Sequence, residues 1–186
     1  VLNVDERDKS RQLVRLLTEG KISQALIFCN TKIGANRLTR HLQNKGVESE
    51  AIHSDRSQIE RTTALENFKA NKTKVLVATD IAARGLDIEQ LPHVVNYDLP
   101  HNSEDYVHRI GRTGRAGAKG ISISLVCESD AFMMPSIEAL LGESLSFTYP
   151  PDDLLIQLGS PVRARRVNND LIPKDKDTRK PPRRRG

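Results

Sequence analysis

Short apolar runs set wide apart constrain this chain more than any other feature. ALIFCN (25–30), KVLVATD (74–80) and HVVNYDLP (93–100) each carry the apolar pattern of a buried strand, and GISISLVCE (120–128) reads as a last strand. A weaker run, ESEAIH (48–53), reads the same way. Between them lie stretches long enough for helices, so tight hairpins are excluded and the strands must be joined by crossovers. The expected fold is α/β, a mainly parallel sheet with helices on both faces.

The intervening stretches supply those helices. DKSRQLVRLLTEG precedes the first run, and TKIGANRLTRHLQNKG follows it, with Ile33, Leu38 and Leu42 expected on one face and Gly46 as the stop. In SQIERTTALENFKAN, Ser57 is the expected cap, and Ile59, Leu65 and Phe68 the buried stripe. NSEDYVHRI reads as a helix capped by Ser103, with Glu104 and Asp105 in its positive first turn. DAFMMPSIEALLG reads as a helix interrupted near Pro135. After Gly142 the pattern fades. The expected organisation is a domain over 1–145, an edge extension over 146–160 through Phe147, Leu154 and Leu155, and a disordered basic tail over 161–186.

Charge is concentrated in that tail. Of 29 Lys/Arg and 24 Asp/Glu in the chain, residues 161–186 hold ten and three, which leaves 19 and 21 for the body. The net +5 therefore reports the tail, and an anion site in the body must come from local arrangement. Aromatics are only 4% and tryptophan is absent, which argues against base stacking on an aromatic sheet. Cys29 and Cys127 each close an apolar run and are expected to be buried, reduced residues of a cytosolic protein. No signal peptide or membrane-length run is read, so a cytoplasmic location without membrane contact is expected. The chain begins at Val1, as expected of a piece of a longer protein.

In a parallel sheet, functional residues gather beyond the carboxyl ends of the strands. CNTK, HSDRSQ, ATDIAARGLD and the NYDLP turn fall there. A phosphate-binding P-loop is missing: the only Gly-Lys, in EGKIS (19–23), lacks both the upstream glycine and an adjacent hydroxyl residue. No strand-end quartet of carboxylates is present either, so this chain alone is not expected to hydrolyse a nucleotide. HRIGRTGRAG (108–117) nevertheless sets arginines at 109, 112 and 115 among glycines at 111, 114 and 117. Such a run is a solvated basic face, a set of arginines paired with Glu104 and Asp105, or a phosphate site in which guanidinium forks meet phosphate oxygens.

The surrounding residues bear on that choice. HRIGRTGRAG resembles motif VI of the DEAD-box RNA helicases, and ATDIAARGLDI (78–88) resembles their motif V. ALIFCNTK (25–32) is similar to motif IV and QIER (58–61) to the neighbouring Gln-x-x-Arg element, all in the family's order. The resemblance covers most of residues 5–145 and points to bacterial members of the family. It implies a RecA-like C-terminal domain whose partner, an N-terminal RecA-like domain of the same protein, carries the P-loop and binds most of the ATP and Mg2+. Arg112 and Arg115 match the arginines that reach the γ-phosphate, and Gly85 and Asp87 match positions near the nucleotide's ribose and phosphates. His108 and Arg109 match positions that brace the motifs. Thr31, Gln58, Arg61 and Thr79 match positions that hold the RNA backbone without reading sequence.

One departure stands out. Where the family usually has His-Gly, this chain has His53-Ser54-Asp55, which puts a side chain and a carboxylate beside the expected RNA path. His53 and Asp55 lack the further ligands a metal site needs, and no metal is expected in this chain. The implied activity is ATP-driven RNA unwinding or remodelling, with a ribonuclease scaffold of the RNA-degradation machinery as a further expected partner. The rival readings are half of a DNA-directed helicase and a non-catalytic module that docks RNA or protein.

Overall fold

The computed structural model describes residues 1–88, 90–114 and 120–149. They belong to one unit, Val1–Pro151. The tail expected over 161–186, and the edge segment beyond residue 149, lie outside the described residues. Six strands, β1 (Leu2–Asn3), β2 (Ala25–Phe28), β3 (Ser49–Ile52), β4 (Val75–Ala78), β5 (His93–Asn96) and β6 (Ile121–Val126), form one sheet in the order β1-β6-β5-β2-β4-β3. Every pairing is parallel. At the outer edge, the Asn3 amide donates to the Thr148 carbonyl (3.0 Å) and the Thr148 amide to that of Val1 (2.7 Å).

The centre of the sheet is β2, in register with Val75–Ala78 on one side and His93–Asn96 on the other. All four of its residues are buried, which is why the run shows no polar alternation. Alternate side chains feed two cores. Ala25 and Ile27 join Val75, Val77 and Val95 beneath α1 (Lys9–Thr18) and α2 (Lys32–Asn44), which contribute Leu13, Leu38 and Leu42. Leu26 and Phe28 join Leu76, Ala78 and Val94 beneath α3 (Gln58–Lys69) and α4 (Asp80–Arg84), which contribute Phe68, Ala82 and Ala83. Each fully buried Leu or Phe is worth about 1.5–3 kcal/mol, so the two cores carry the fold. A smaller cluster packs α5 (Ser103–Ile110) against α6 (Met134–Leu141) through Tyr106, Met134 and Ile137.

Several sequence expectations need correcting. Ile33 is 73% exposed and Ile59 80% exposed. At about 100° per residue, Leu38 lies about 140° round the helix from Ile33, and Phe68 lies opposite Ile59. The buried positions on these helices are Ala35, Leu38, Thr39 and Leu42, and Ala64 and Phe68. The cap of α5 is Asn102, whose Oδ1 accepts from the Asp105 amide (2.8 Å), and Ser103 is the first helical residue. The interruption expected near Pro135 falls just before it: a 3-10 helix over Glu128–Met133 gives way to α6 at Met134, and Pro135 stands in the first turn of α6, where its missing amide costs nothing. The expected cap at Ser57 is present as a full capping box with Glu60.

Candidate functional site

The most heavily bonded side chain at the carboxyl end of the sheet is Arg109, near the end of α5 and only 1% exposed. Its Nε and Nη2 donate to the two carboxylate oxygens of Asp80 (2.6 and 2.7 Å). Nη2 also donates to Asn30 Oδ1 (2.9 Å), and Nη1 donates to the Asp98 carbonyl (2.6 Å) and Asn96 Oδ1 (3.3 Å). The guanidinium lies 4.9 Å from the centroid of the Phe28 ring. All five guanidinium N–H groups are thus used, and the side chain ties the ends of β2, β4 and β5 to α5.

The acceptors are themselves held. The Asn30 amide donates to Asp98 Oδ2 (3.0 Å), and its side chain donates to the Leu99 carbonyl (2.7 Å). Asn96 Nδ2 donates to Ser124 Oγ (3.1 Å), which also bonds Tyr106 Oη (3.0 Å). Burial pushes the Asp98 carboxyl above its ordinary pKa, against the opposing pull of the Asn30 amide.

Arg112 is treated differently. It is half-buried, just past the C-terminus of α5, and among the described residues its side chain makes one long bond, Nη1 to the Leu86 carbonyl at 3.4 Å. The backbone there is fixed from both sides: the Leu91 amide donates to the Arg112 carbonyl (3.1 Å), and Thr113 Oγ1 donates to the Leu91 carbonyl. Gly114 takes φ +69°, a left-handed turn that a side chain would strain. Arg112 shares with Arg84 and His108 a narrow cleft between α4 and α5. Arg84 spans that cleft to Asp105. Burial alone would raise the Asp105 pKa, but hydrogen bonds from Asn102 and Arg84 hold it below the usual carboxylate value.

A second group of residues follows β2, β4 and β3, three adjacent strands. Thr31 caps α2, its Oγ1 accepting from the Gly34 amide (3.0 Å). Thr79 stands at the N-cap position of α4 but makes no capping bond with its side chain. Gln58 is the exposed first residue of α3, and its Oε1 accepts from Arg61 Nη1 at a loose 3.4 Å. The loop from His53 to Ser57 is pinned to α2 by Lys32 Nζ, 2.6 Å from Asp55 Oδ1. That contact lowers the Asp55 pKa and matches its charge with a lysine's. His53 is 2% exposed with both ring nitrogens unpartnered, and burial lowers its pKa, so the ring stays neutral.

Among the described residues, one grouping has metal-ligand character: Glu6, Cys127 and Asp130. Lys9 Nζ lies 3.0 Å from Glu6 and 3.1 Å from Asp130, so an internal ammonium already holds the cation's place. Burial works against that charge, yet the hydrogen bonds Lys9 donates to Glu6 and Asp130 prevail and raise its pKa. Cys29 and Cys127 are buried free thiols. No described helix is long and apolar enough to cross a membrane.

Residues 8–117, which contain Arg109 with its direct partners, Arg112 and the Thr31, Gln58, Arg61 and Thr79 group, match the helicase conserved C-terminal domain. In three dimensions the chain superposes on the C-terminal domain of the DEAD-box protein Dbp5 with a TM-score of 0.73 and 34% identity, covering 82% of this chain and 89% of that one. The chain belongs to the DEAD-box helicase C-terminal domain family. The E. coli DEAD-box protein SrmB, solved bound to regulator of ribonuclease activity A, is similar to this helicase domain at TM-score 0.77 and 32% identity, with coverage of 82% and 90%. The ATP-dependent RNA helicase RhlB of Shewanella sediminis is 45% identical over 163 residues, 87% of this chain and 38% of the relative. RhlB of an E. coli strain is 43% identical over 180 residues, 96% and 43% respectively. The helicase domain thus spans less than half the length of these curated relatives.

The structure brings Thr31, Thr79 and the start of α3 with Gln58 and Arg61 to neighbouring strand ends. Arg112 lies instead beside the exit of α4, where Gly85 is the C-cap and the Leu86 carbonyl meets its guanidinium. Asp87 is 93% exposed and engaged with Lys69 Nζ (3.1 Å). Arg115 lies outside the described residues. The alternative in which the arginine run pairs with Glu104 and Asp105 is not what the described residues do, since Arg109 pairs with Asp80 and Asp105 with Arg84. Sequence reasoning missed Asn30, Asp80, Asn96 and Arg84. The available signal was a polar residue closing an apolar strand, which needs a buried partner.

Proposed function

We propose that this chain is the C-terminal half of an ATP-dependent RNA helicase, gripping nucleotide and RNA between itself and an N-terminal RecA-like domain. The observation that carries the reading is the unequal use of two neighbouring arginines. Arg109 is spent inside the domain, while Arg112 keeps most of its donors free at a cleft it shares with Arg84 and His108. This cationic lip fits one side of a nucleotide's phosphates, and the two acids lining the cleft are already paired, Asp80 with Arg109 and Asp105 with Arg84. A magnesium ion fits less well, because Asp80 and Asp87 are both engaged by cations, so its ligands belong to the other domain.

Bound between the halves, ATP supplies the phosphoryl group whose transfer drives the cycle. Arg112 and Arg115 spread positive charge over the transferring oxygens, with Gly85 and Asp87 beside the nucleotide. Thr31, Gln58, Arg61 and Thr79 hold the sugar–phosphate backbone, and the basic tail adds phosphate contacts that weaken with salt. The reading extends to work in RNA turnover in the cytoplasm, with which the RhlB likeness is consistent. The test is Arg115→Ala in the intact protein. RNA-stimulated ATPase should collapse, Arg115→Lys should not restore it, and activity near that of the unaltered protein refutes the role. A DNA-directed motor is separated by its tolerance of strands lacking 2′-hydroxyls.

A second reading draws on SrmB, whose solved structure is bound to a regulator of ribonuclease activity. On that reading this chain docks a protein, such as a ribonuclease scaffold. An intact protein that binds such a partner but shows no RNA-stimulated ATPase would favour docking alone.

A further inference from the structure

Helix α2 and its flanks, residues 31–47, contain Lys32, Arg37, Arg40, His41 and Lys45 and no carboxylate. The body as a whole is close to charge balance and its remainder is net acidic, so this basic bias is local. Lys32 is engaged by Asp55. Arg37 and Arg40 are exposed and have neither hydrogen bond nor ion pair among the described residues. Every other described arginine has at least one partner. Like charges three apart on a helix repel each other by a few tenths of a kcal/mol, and no acid on α2 offsets this. Two free arginines side by side are therefore a cost to the isolated domain.

Their placement is ordered. Ile33, Arg37, Arg40 and Asn44 follow each other at spacings of four, three and four, and all four are exposed. That puts them in one row down the outer side of α2, about 16 Å long at 1.5 Å per residue. The row starts two residues from Thr31, the cap of α2. We infer that the outer face of α2 is a second phosphate track, which takes the RNA backbone outside the interdomain cleft and leads it away from Thr31. The inference rests on the RNA helicase reading above. Guanidinium forks and a carboxamide are the groups that meet phosphate and sugar without reading sequence. A protein partner would need an apolar centre, and Ile33 alone does not provide one.

The test is the double substitution Arg37→Gln, Arg40→Gln in the intact protein, read with a short single strand of about six nucleotides and a longer one of about twenty. For the longer strand, affinity at low salt should fall roughly tenfold or more, and the slope of log K against log salt should become shallower by about 1.4. Binding of the short strand, and the ATPase it stimulates, should not change. Arg37→Lys with Arg40→Lys should restore most of the salt slope, because charge and not fork geometry dominates counterion release. Unchanged affinity and slope for the longer strand overturns the track while leaving the helicase reading intact. Equal losses for both strands also overturn it, since the arginines would then belong to the cleft. An unaltered protein that binds neither strand sinks the helicase reading and the track together. Tight capture of polyglutamate that neither RNA displaces assigns the face to an acidic protein and overturns the track.

Discussion

Around Arg109 every donor has an acceptor, whereas Arg112, three residues on, makes one side-chain bond among the described residues, at 3.4 Å. The same contrast divides the carboxyl end of the sheet. Beyond β2, β5 and β6, the polar groups of Asn30, Asn96, Asp98, Ser124 and Tyr106 bond one another or Arg109. Beyond β2, β4 and β3, the hydroxyl of Thr79 caps nothing, and Gln58 meets only Arg61 at 3.4 Å. A satisfied buried network specifies one arrangement and resists exchange with ligand. A loosely bonded rim keeps its donors and acceptors available. One region builds the platform and the other is kept for what lands on it.

The largest effect expected from this contrast is functional. Arg112→Ala in the intact protein should lower RNA-stimulated ATPase by about 10³-fold or more, the range known for arginine fingers. Thermal unfolding of the variant should barely move, because the one bond lost is long and half-exposed. A variant that unfolds early while keeping its ATPase would reverse the contrast, making Arg112 structural.

Arg109→Lys should do the opposite. An ammonium cannot reach Asp80, Asn30, Asn96 and the Asp98 carbonyl at once, so acceptors desolvated by burial are left unmet. Breaking a buried ion pair costs about 3–5 kcal/mol, and the lower end applies because Asp80 keeps some contact with water. Urea unfolding should show the loss as a lower midpoint with an unchanged slope. Retained stability would mean that water replaces the guanidinium, and that the platform is less closed than its bonds imply.

The two regions also differed in how readable they were from sequence. Strands β2 to β6 were legible within a few residues: β2, β4 and β5 because continuous burial leaves apolar runs, β3 and β6 through the shorter apolar stretches that they bury. The two residues of β1 and the five of α4 were not, being too short for any period to show. Ile33 and Ile59 were misread as core because a six- or ten-residue window of apolar letters can match helical spacing loosely while the true stripe runs through Ala35 and Ala64. The open rim was legible through its resemblance to known motifs. The closed network was not: nothing local to Asn30 or Asn96 says that a guanidinium 79 or 13 residues away will reach it. Long-range polar pairing leaves no periodic trace, and only the sheet order β5-β2-β4 makes it possible.

The smallest expected effect tests whether the open rim is firm despite its loose bonding. The capping box at the start of α3 presents Gln58 and Arg61, and Ser57→Ala should cost about 1 kcal/mol. Glu60 accepts from the Ser57 amide and hydroxyl, both at 2.8 Å, and from Arg56 at 3.0 Å. These bonds, that of the Ser57 amide foremost, hold its pKa at about 2 against an ordinary 4.5. A carboxylate whose pKa is lower in the folded state adds stability that is complete above its unfolded pKa and disappears as pH falls through the folded one. The difference between the unaltered chain and Ser57→Ala should therefore be constant above about pH 4.5 and shrink towards pH 2. Glu60→Gln should abolish that shrinkage, because nothing in the box then titrates. Chemical denaturation at a series of pH values reads both. A difference that stays flat down to pH 2 would uncouple Glu60 from the cap and leave Gln58 and Arg61 on a helix start that frays, which would make the rim open because it is mobile and not because it is reserved.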